Sequence, residues 1–290
     1  MRIVRTIDEL RAALRSTRDE LGEAASVGFV PTMGALHEGH LSLVAAARAE
    51  NPIVVLSIFV NPTQFNEGED FARYPRDEQR DAALAEAAGV DLIFAPEASE
   101  MYPDGFDTVI SVGGRLTEVL EGEQRGSSHF DGVATVVSKL LIAVQPDAAY
   151  FGEKDYQQLL VVRRMVADLR LPLRVVGCPT SREDDGLARS SRNTRLSASE
   201  RRRAVAIPDA LTAVAAAVHL GEREVERLRG TAGEILEEAG LSAEYLAFVD
   251  PESLEAVRTV SAPTLFAVAA RVGAVRLIDN RLLTLPDPKR

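Results

Sequence analysis

Between residues 27 and 179, apolar runs of strand length alternate with segments of helical period, and this alternation leaves few possible folds. "SVGFVP", "PIVVLSIFV", "DLIFAP", "AAYFG" and "LRVVGCP" read as strands. Between them lie "HLSLVAAARAE", a segment from about 77 to 88, "GVATVVSKLLIAV" and "YQQLLVVRRMVADL", which read as helices. A strand that is apolar at nearly every position is covered on both faces, and the helices that follow such strands supply the cover. The expectation is an α/β fold with a parallel sheet and helices on both faces. A short helix opens the chain at "TIDELRAALRS", where Thr6 and Glu9 stand at capping-box spacing.

After Pro179 the pattern changes. "TSREDDGLARSSRNTRLS" is polar and carries both signs of charge, and it reads as a linker or mobile loop. Two helices are expected at about 198–220 and 222–239, with Pro208 interrupting or kinking the first. "AEYLAFVD", "TLFAVAARV" and "VRLIDNRLL" then read as an antiparallel sheet. The expected organisation is a domain over 1–180 and a smaller α+β domain over 181–290, within what a chain of 290 residues can hold.

Composition removes several function classes. A net charge of -11 disfavours nucleic acid as a partner, because phosphate backbones would be repelled, but it permits a small anion in a locally basic pocket. The single cysteine, Cys178, cannot form an internal disulfide or a multi-cysteine metal site and suits the cytoplasm. No uninterrupted apolar stretch is long enough to span a membrane, and no positively charged start followed by a long apolar core is present.

The chemistry-bearing residues gather at turns. "PTMGALHEGH" (31–40) places His37 and His40 where a strand passes into a helix. A zinc site would need further ligands, and His129, His219 and Cys178 stand in no recognisable spacing to the pair. Two solvated loop histidines remain a plain alternative. A third reading is an anion site, in which backbone N–H groups and the helix dipole meet a phosphate while the imidazoles stabilise its charge. Similar turns recur. "FGEKDYQQL" supplies Lys154, Asp155 and Gln158; "FVNPTQF" supplies Asn61 and Gln64; "GEQRGSSHFDGVATVV" supplies Arg125 and His129; "RSSRN" supplies hydroxyls and guanidiniums. The first three of these fall in the sheet domain with "PTMGALHEGH", and four such turns in one sheet domain favour a shared anionic-substrate site over unrelated loops. Cys178, within a strand, reads as a small buried hydrophobe.

In this order the motifs resemble the pantothenate synthetase family, within the HIGH-signature nucleotidyl-transferring superfamily, over essentially the whole chain. The resemblance implies a Rossmann-like sheet domain with a smaller C-terminal lid domain, assembled as a homodimer. It implies ATP as a substrate bound by Met33, Gly34, Ala35, Leu36, His37, Glu38, Gly39 and His40, by Gly152, Glu153, Lys154 and Asp155, and by Ser181, Arg189, Ser190, Ser191 and Arg192. His40, His37, Lys154 and Arg192 are the implied catalytic residues. Gln64 and Gln158 are implied to hold pantoate, with Gln64 also serving β-alanine. One departure is Arg189, where the family usually has Met.

The implied reaction is a two-step condensation. Pantoate's carboxylate attacks the α-phosphorus of ATP to give pantoyl adenylate and pyrophosphate, and the amine of β-alanine then displaces AMP. No protein residue is assigned to a metal site; Mg²⁺ would bridge phosphate oxygens with few protein ligands, Asp77 and Asp81 being the candidates to touch it. The 181–193 loop is expected to order over bound nucleotide. Two rivals stay open: a nucleotidyltransferase that stops at a nucleotide-linked product, and a nucleotide-binding regulatory protein without catalysis.

Overall fold

The structure is a computed structural model that describes residues 1–22, 24–64 and 75–285. Phe65 of the "FVNPTQF" motif and residues 66–74 of the adjoining polar stretch lie outside the described residues. The chain divides into two compact units, one of Met1–Glu153 with Gln157–Pro179, the other of Lys154–Tyr156 with the residues from Thr180 on. Lys154–Tyr156, which the sequence places with the sheet domain, therefore group with the second unit.

The first unit is built on six strands: β1 (Arg2–Val4), β2 (Val27–Thr32), β3 (Ile53–Ile58), β4 (Leu92–Phe94), β5 (Ala148–Gly152) and β6 (Arg174–Cys178). Their order is β1-β4-β3-β2-β5-β6, and every neighbouring pair runs parallel. Successive residues of a strand point to opposite faces, which explains the near-continuous apolar runs. Val27, Phe29, Ile53, Val55, Leu92 and Phe94 enter the core on one face, with α1 (Ile7–Leu21) and the apolar helix Ser127–Val144. Val30, Val54, Leu56, Ile93 and Tyr150 enter the core on the other, with α2 (Glu38–Glu50) and α3 (Glu78–Ala87). Each fully buried Val, Leu, Ile or Phe contributes roughly 1.5–3 kcal/mol. The helix Ser127–Val144, α4, and the next, α5 (Tyr156–Asp168), follow at the expected places. Strand β1 was not legible, because three residues are too few for a period. The capping box at Thr6 is formed as its spacing predicts.

The strand order reverses at β2. From there the chain moves outward through β3 to β4, then returns to place β5 on the other side of β2. The carboxyl ends of β2 and β5 therefore flank the topological switch point, where ligands bind in open α/β sheets.

The second unit carries α6 (Ala198–Ala204), α7 (Ala206–His219), α8 (Val225–Glu238) and the antiparallel strands β7 (Ser242–Val249), β8 (Thr264–Val272) and β9 (Val275–Leu283). The helical break falls before Pro208 rather than at it. A proline in mid-helix would clash with the carbonyl four residues back, that of Ala204, so the first helix ends there. Pro208 then occupies the opening turn of α7, where its missing N–H leaves no bond unmade.

Among the described residues, no helix is long and apolar enough to cross a membrane.

Candidate active site

The turn after β2 is built from the strand end outward. Thr32 is buried, its hydroxyl donating to the Ser57 carbonyl at 2.6 Å and accepting the Gly34 N–H at 3.1 Å. Gly34 has φ +82° and Ala35 φ +51°, so two successive residues are left-handed, a conformation that raises Ala35 by about 1–2 kcal/mol. The side chain of Asp81, on α3 and 1% exposed, accepts the N–H groups of Ala35 at 2.7 Å and Leu36 at 2.8 Å. Arg80 Nη1 donates to the Leu36 carbonyl at 3.1 Å.

His37 then adopts an extended conformation and caps α2. Its Nδ1 accepts the Gly39 N–H at 3.1 Å, while the N–H of His37 itself donates to Nδ1 of His40 at 3.3 Å. The two rings stack with centroids 4.1 Å apart. With Nδ1 of each ring accepting a backbone donor, the neutral form of each imidazole is the tautomer with its proton at Nε2.

This geometry corrects part of the sequence expectation. The N–H groups of Gly34, Ala35, Leu36, His37, Gly39 and His40 are all bonded within the turn, to α3 or along the helix, and so do not form the open backbone nest expected for a phosphate. The corner instead presents two oriented imidazoles at the positive end of a helix dipole.

The Asn61–Gln64 corner follows β3. Asn61 is 1% exposed; its Oδ1 accepts from the hydroxyls of Tyr102 at 2.7 Å and Thr63 at 3.0 Å, and its Nδ2 donates to Gln64 Oε1 at 3.1 Å and Gly132 O at 3.1 Å. Gln64 Nε2 reaches the Met33 sulfur at 3.1 Å, bringing this corner against the β2 turn. His129 Nδ1 pairs with the Gln64 carbonyl at 2.9 Å, so this histidine anchors the corner. Arg125 Nε donates to Glu121 one helical turn away, at 3.0 Å. Lys139 lies 4.2 Å from the Phe106 ring centroid, and burial pushes its pKa down. Burial likewise raises the Tyr102 phenol, against the opposing effect of the neighbouring Thr63 hydroxyl. Nothing in the sequence singled out Tyr102 or Thr32 for these roles.

At the end of β5, Gly152 leads into the short turn Glu153–Asp155. Gln158 stands half-buried on α5 beside Gln157, which is 6% exposed and wholly structural. Gln157 Oε1 accepts the Glu121 N–H at 3.0 Å, and its Nε2 donates to the carbonyls of Leu116 and Val119.

In the second unit, Lys154 Nζ lies 3.5 Å from Asp155 Oδ1, and the Lys154 carbonyl accepts from Asn280 at 2.9 Å. The segment read as a linker is a hydrogen-bonded hairpin. Arg182 pairs with Ala188 across it, and the Arg189 N–H donates to the Ser181 carbonyl at 2.9 Å. Arg182 grips Asp279 through two bonds of 2.7 and 3.0 Å, and Arg201 holds Glu183 and Asp185. The opposite charges of this segment are paired with one another, with α6 and with β9. Arg189 Nε donates to the Arg182 carbonyl at 3.1 Å, tying the hairpin to itself. Ser190 caps the turn Ser191–Arg195 by accepting the Arg192 N–H.

Asp77 and Asp81, the candidates for touching Mg²⁺, have other work. Asp77 accepts the Arg80 N–H as the cap of α3, and both Asp81 oxygens hold backbone donors. Among the described residues no group of three or more His, Cys, Asp or Glu side chains could hold a metal ion. The side chains present do not fit a protein-held metal at this corner.

Residues 2–282 match the family model described as Pantoate-beta-alanine ligase. A pantothenate synthetase of Thermus thermophilus is 53% identical over 280 residues, covering 97% of this chain and 98% of that protein. One from Brucella suis is 49% identical over 291 residues, covering 100% and 98%. A crystal structure of pantothenate synthetase from Thermus thermophilus aligns with TM-score 0.90 and 52% identity, covering 98% of this chain and 100% of that one. A crystal structure of pantoate-beta-alanine ligase from Francisella tularensis, complexed with Beta-gamma ATP and Beta-alanine, aligns with TM-score 0.79 and 35% identity, covering 97% of each.

Proposed function

The chain belongs to the pantoate-beta-alanine ligase family and is a ligase that forms an amide bond, and from that premise we propose that it condenses pantoate with β-alanine at the expense of ATP through a pantoyl-adenylate intermediate. The observation that carries this reading is the reciprocal capping of His37 and His40 at the carboxyl end of β2, beside the switch point.

A carboxylate is a poor acyl donor, because its charge repels an amine and its oxygen leaves badly. Transfer to the α-phosphorus of ATP converts that oxygen into part of AMP, a good leaving group, with pyrophosphate released. The amine of β-alanine then attacks the acyl carbon and AMP departs. The protein's share is positioning and stabilising charge that develops on phosphate oxygens. His37 and His40 donate from Nε2, so the two stacked rings serve as neutral hydrogen-bond donors. Protonation at Nδ1 would break the cap that orients them.

In the first unit the nucleotide is bound by Met33, Gly34, Ala35, Leu36, His37, Glu38, Gly39 and His40, and by Gly152 and Glu153. In the second unit it is bound by Lys154, Asp155, Ser181, Arg189, Ser190, Ser191 and Arg192. His37, His40, Lys154 and Arg192 are the catalytic residues. Gln64 and Gln158 hold pantoate, and Gln64 also serves β-alanine. The Gln64 amide is already oriented, its oxygen toward Asn61 and its nitrogen toward Met33. The enzyme acts as a cytoplasmic homodimer. Mg²⁺ would be held mainly by the phosphates of ATP, because both Asp81 oxygens and Asp77 Oδ1 already accept backbone N–H groups.

The test is AMP release measured with each acid omitted in turn. The proposal requires AMP only when both pantoate and β-alanine are present, and pantoate-dependent exchange of pyrophosphate into ATP without β-alanine. A stable nucleotide-linked product that accumulates in place of pantothenate would sink it.

A further inference from the structure

We propose that Asp81 is a positioning residue for the first chemical step, acting through the backbone of Ala35 and Leu36 to hold His37 and His40 in register; this rests on the reading that these histidines serve the nucleotide phosphates. Asp81 is one of the few charged side chains buried in the described structure, at 1% exposure, and it lies 45 residues from Leu36 in sequence. Both carboxylate oxygens are spent on one object. Oδ2 takes the Ala35 N–H at 2.7 Å and Oδ1 takes the Leu36 N–H at 2.8 Å.

Two consecutive N–H groups point the same way only when the backbone between them is curled, and this curl includes Ala35 at φ +51°. A non-glycine residue disfavours that conformation, so it persists where its surroundings enforce it. The carboxylate is the enforcing group. Gly34 completes the fit, because a Cβ there would stand 3.0 Å from Asp81 Oδ2 and 3.1 Å from Ile58 Cγ2. Arg80 closes the clamp from the other side through the Leu36 carbonyl, its guanidinium 3.6 Å from Asp81 Oδ1.

The residue after Leu36 is His37. Its extended backbone, with φ −142° and ψ 172°, sets both halves of the reciprocal cap, because its ring accepts from Gly39 and its N–H donates to His40. A relaxed 34–36 turn would rotate the His37 N–H away from His40 Nδ1 and let both rings exchange tautomers. Asp81 touches no substrate in this account. It decides which nitrogen of each imidazole faces the phosphates.

The decisive variant is Asp81→Asn, which keeps the volume but replaces one acceptor with a donor that cannot take an N–H. Expected for folded D81N is a fall in kcat for AMP release of at least tenfold, with KM for β-alanine within twofold of wild type. The ¹⁵N imidazole spectrum should also change: His37 and His40, single Nε2–H tautomers in the wild type, should become tautomer mixtures. A purely structural role would lower thermal stability without moving that spectrum. Folded D81N with wild-type kcat and an unchanged imidazole spectrum overturns the proposal. If D81N does not fold, Arg80→Met decides, since that side chain is 56% exposed and its loss leaves the core intact. A two- to fivefold lower kcat with partial tautomer mixing supports the clamp, and wild-type values overturn it. His40→Ala is measured alongside: loss of turnover there with none in D81N removes only the positioning role, whereas unimpaired turnover in His40→Ala removes the phosphate reading and this proposal with it.

Discussion

His37 and His40 cap one helix through each other, the N–H of His37 donating to Nδ1 of His40 while Nδ1 of His37 accepts from Gly39. Nδ1 of each ring thus serves the fold, and in the proposed reaction Nε2 serves the chemistry. Substitutions can separate the two.

Asparagine is among the best N-cap residues, so His37→Asn keeps an acceptor for the start of α2 but removes the Nε2 donor. Unfolding free energy should stay within about 1 kcal/mol of wild type. AMP release should fall by about 10²–10³, as for the loss of one preorganised donor to a developing charge. Denaturant melts and initial rates on the same preparation check this. A stable variant with wild-type turnover would refute the donor role of His37.

Gly132 lets α4 press against the turn Pro62–Gln64. A Cβ at that position would stand 2.5 Å from the Thr63 carbonyl oxygen and 3.0 Å from the Gln64 nitrogen, both of them backbone atoms. Gly132→Ala should destabilise the protein by about 1–3 kcal/mol, the usual range for overpacking. It should also displace Gln64, so KM for pantoate should rise more than KM for ATP. Thermal melts and separate saturation curves give the two readouts.

Glu183 ties the 181–193 hairpin to α6 and to Asn193. Burial pushes its carboxyl pKa up, but the bonds from Asn193 at 2.6 Å and Arg201 at 2.7 Å outweigh this and hold it below the ordinary value. A depressed folded-state pKa means that the carboxylate's stabilisation is fully present above the unfolded value, about 4.3. It is lost as pH falls through the folded value. Amide protection factors across 181–193, corrected for intrinsic exchange, should be level from pH 7 to 5 and fall below about pH 4.3. Glu183→Gln should lower protection at pH 7 and flatten that decline.

Burial raises the Cys178 thiol to about 11, with Glu153 and Glu50 adding to the shift. The nucleophilic thiolate is therefore scarce at neutral pH. Iodoacetamide at pH 8 should leave the folded protein at its native mass and add one adduct in guanidinium. Cys178→Ala should keep kcat within twofold, and rapid labelling of the folded chain would contradict the assignment of Cys178 as a core side chain.

What could be read from the sequence was local. Thr6 and Glu9 form their capping box because a helix start depends on residues three apart. The strands at 27–32, 53–58 and 148–152 were legible because burial on both faces leaves an apolar run. The site's turns were legible because glycine, histidine and polar residues interrupt those runs at strand ends. Residue type alone did not distinguish Gln157 from Gln158. A rotation of about 100° along α5 makes one a buried bridge to the 116–121 segment and leaves the other half-buried on a different face.

The sequence by itself determined the element types, the caps and the families of residue gathered at each turn, because these follow from neighbours within about four positions. Only the tertiary structure decided that Asp81 closes on Ala35 and Leu36, that Tyr102 orders Asn61, and that Arg182 meets Asp279. Those pairs are separated by roughly 40 to 100 residues. Each is set by strand order and helix placement, and a carboxylate's neighbours are fixed by that packing before its chemistry is.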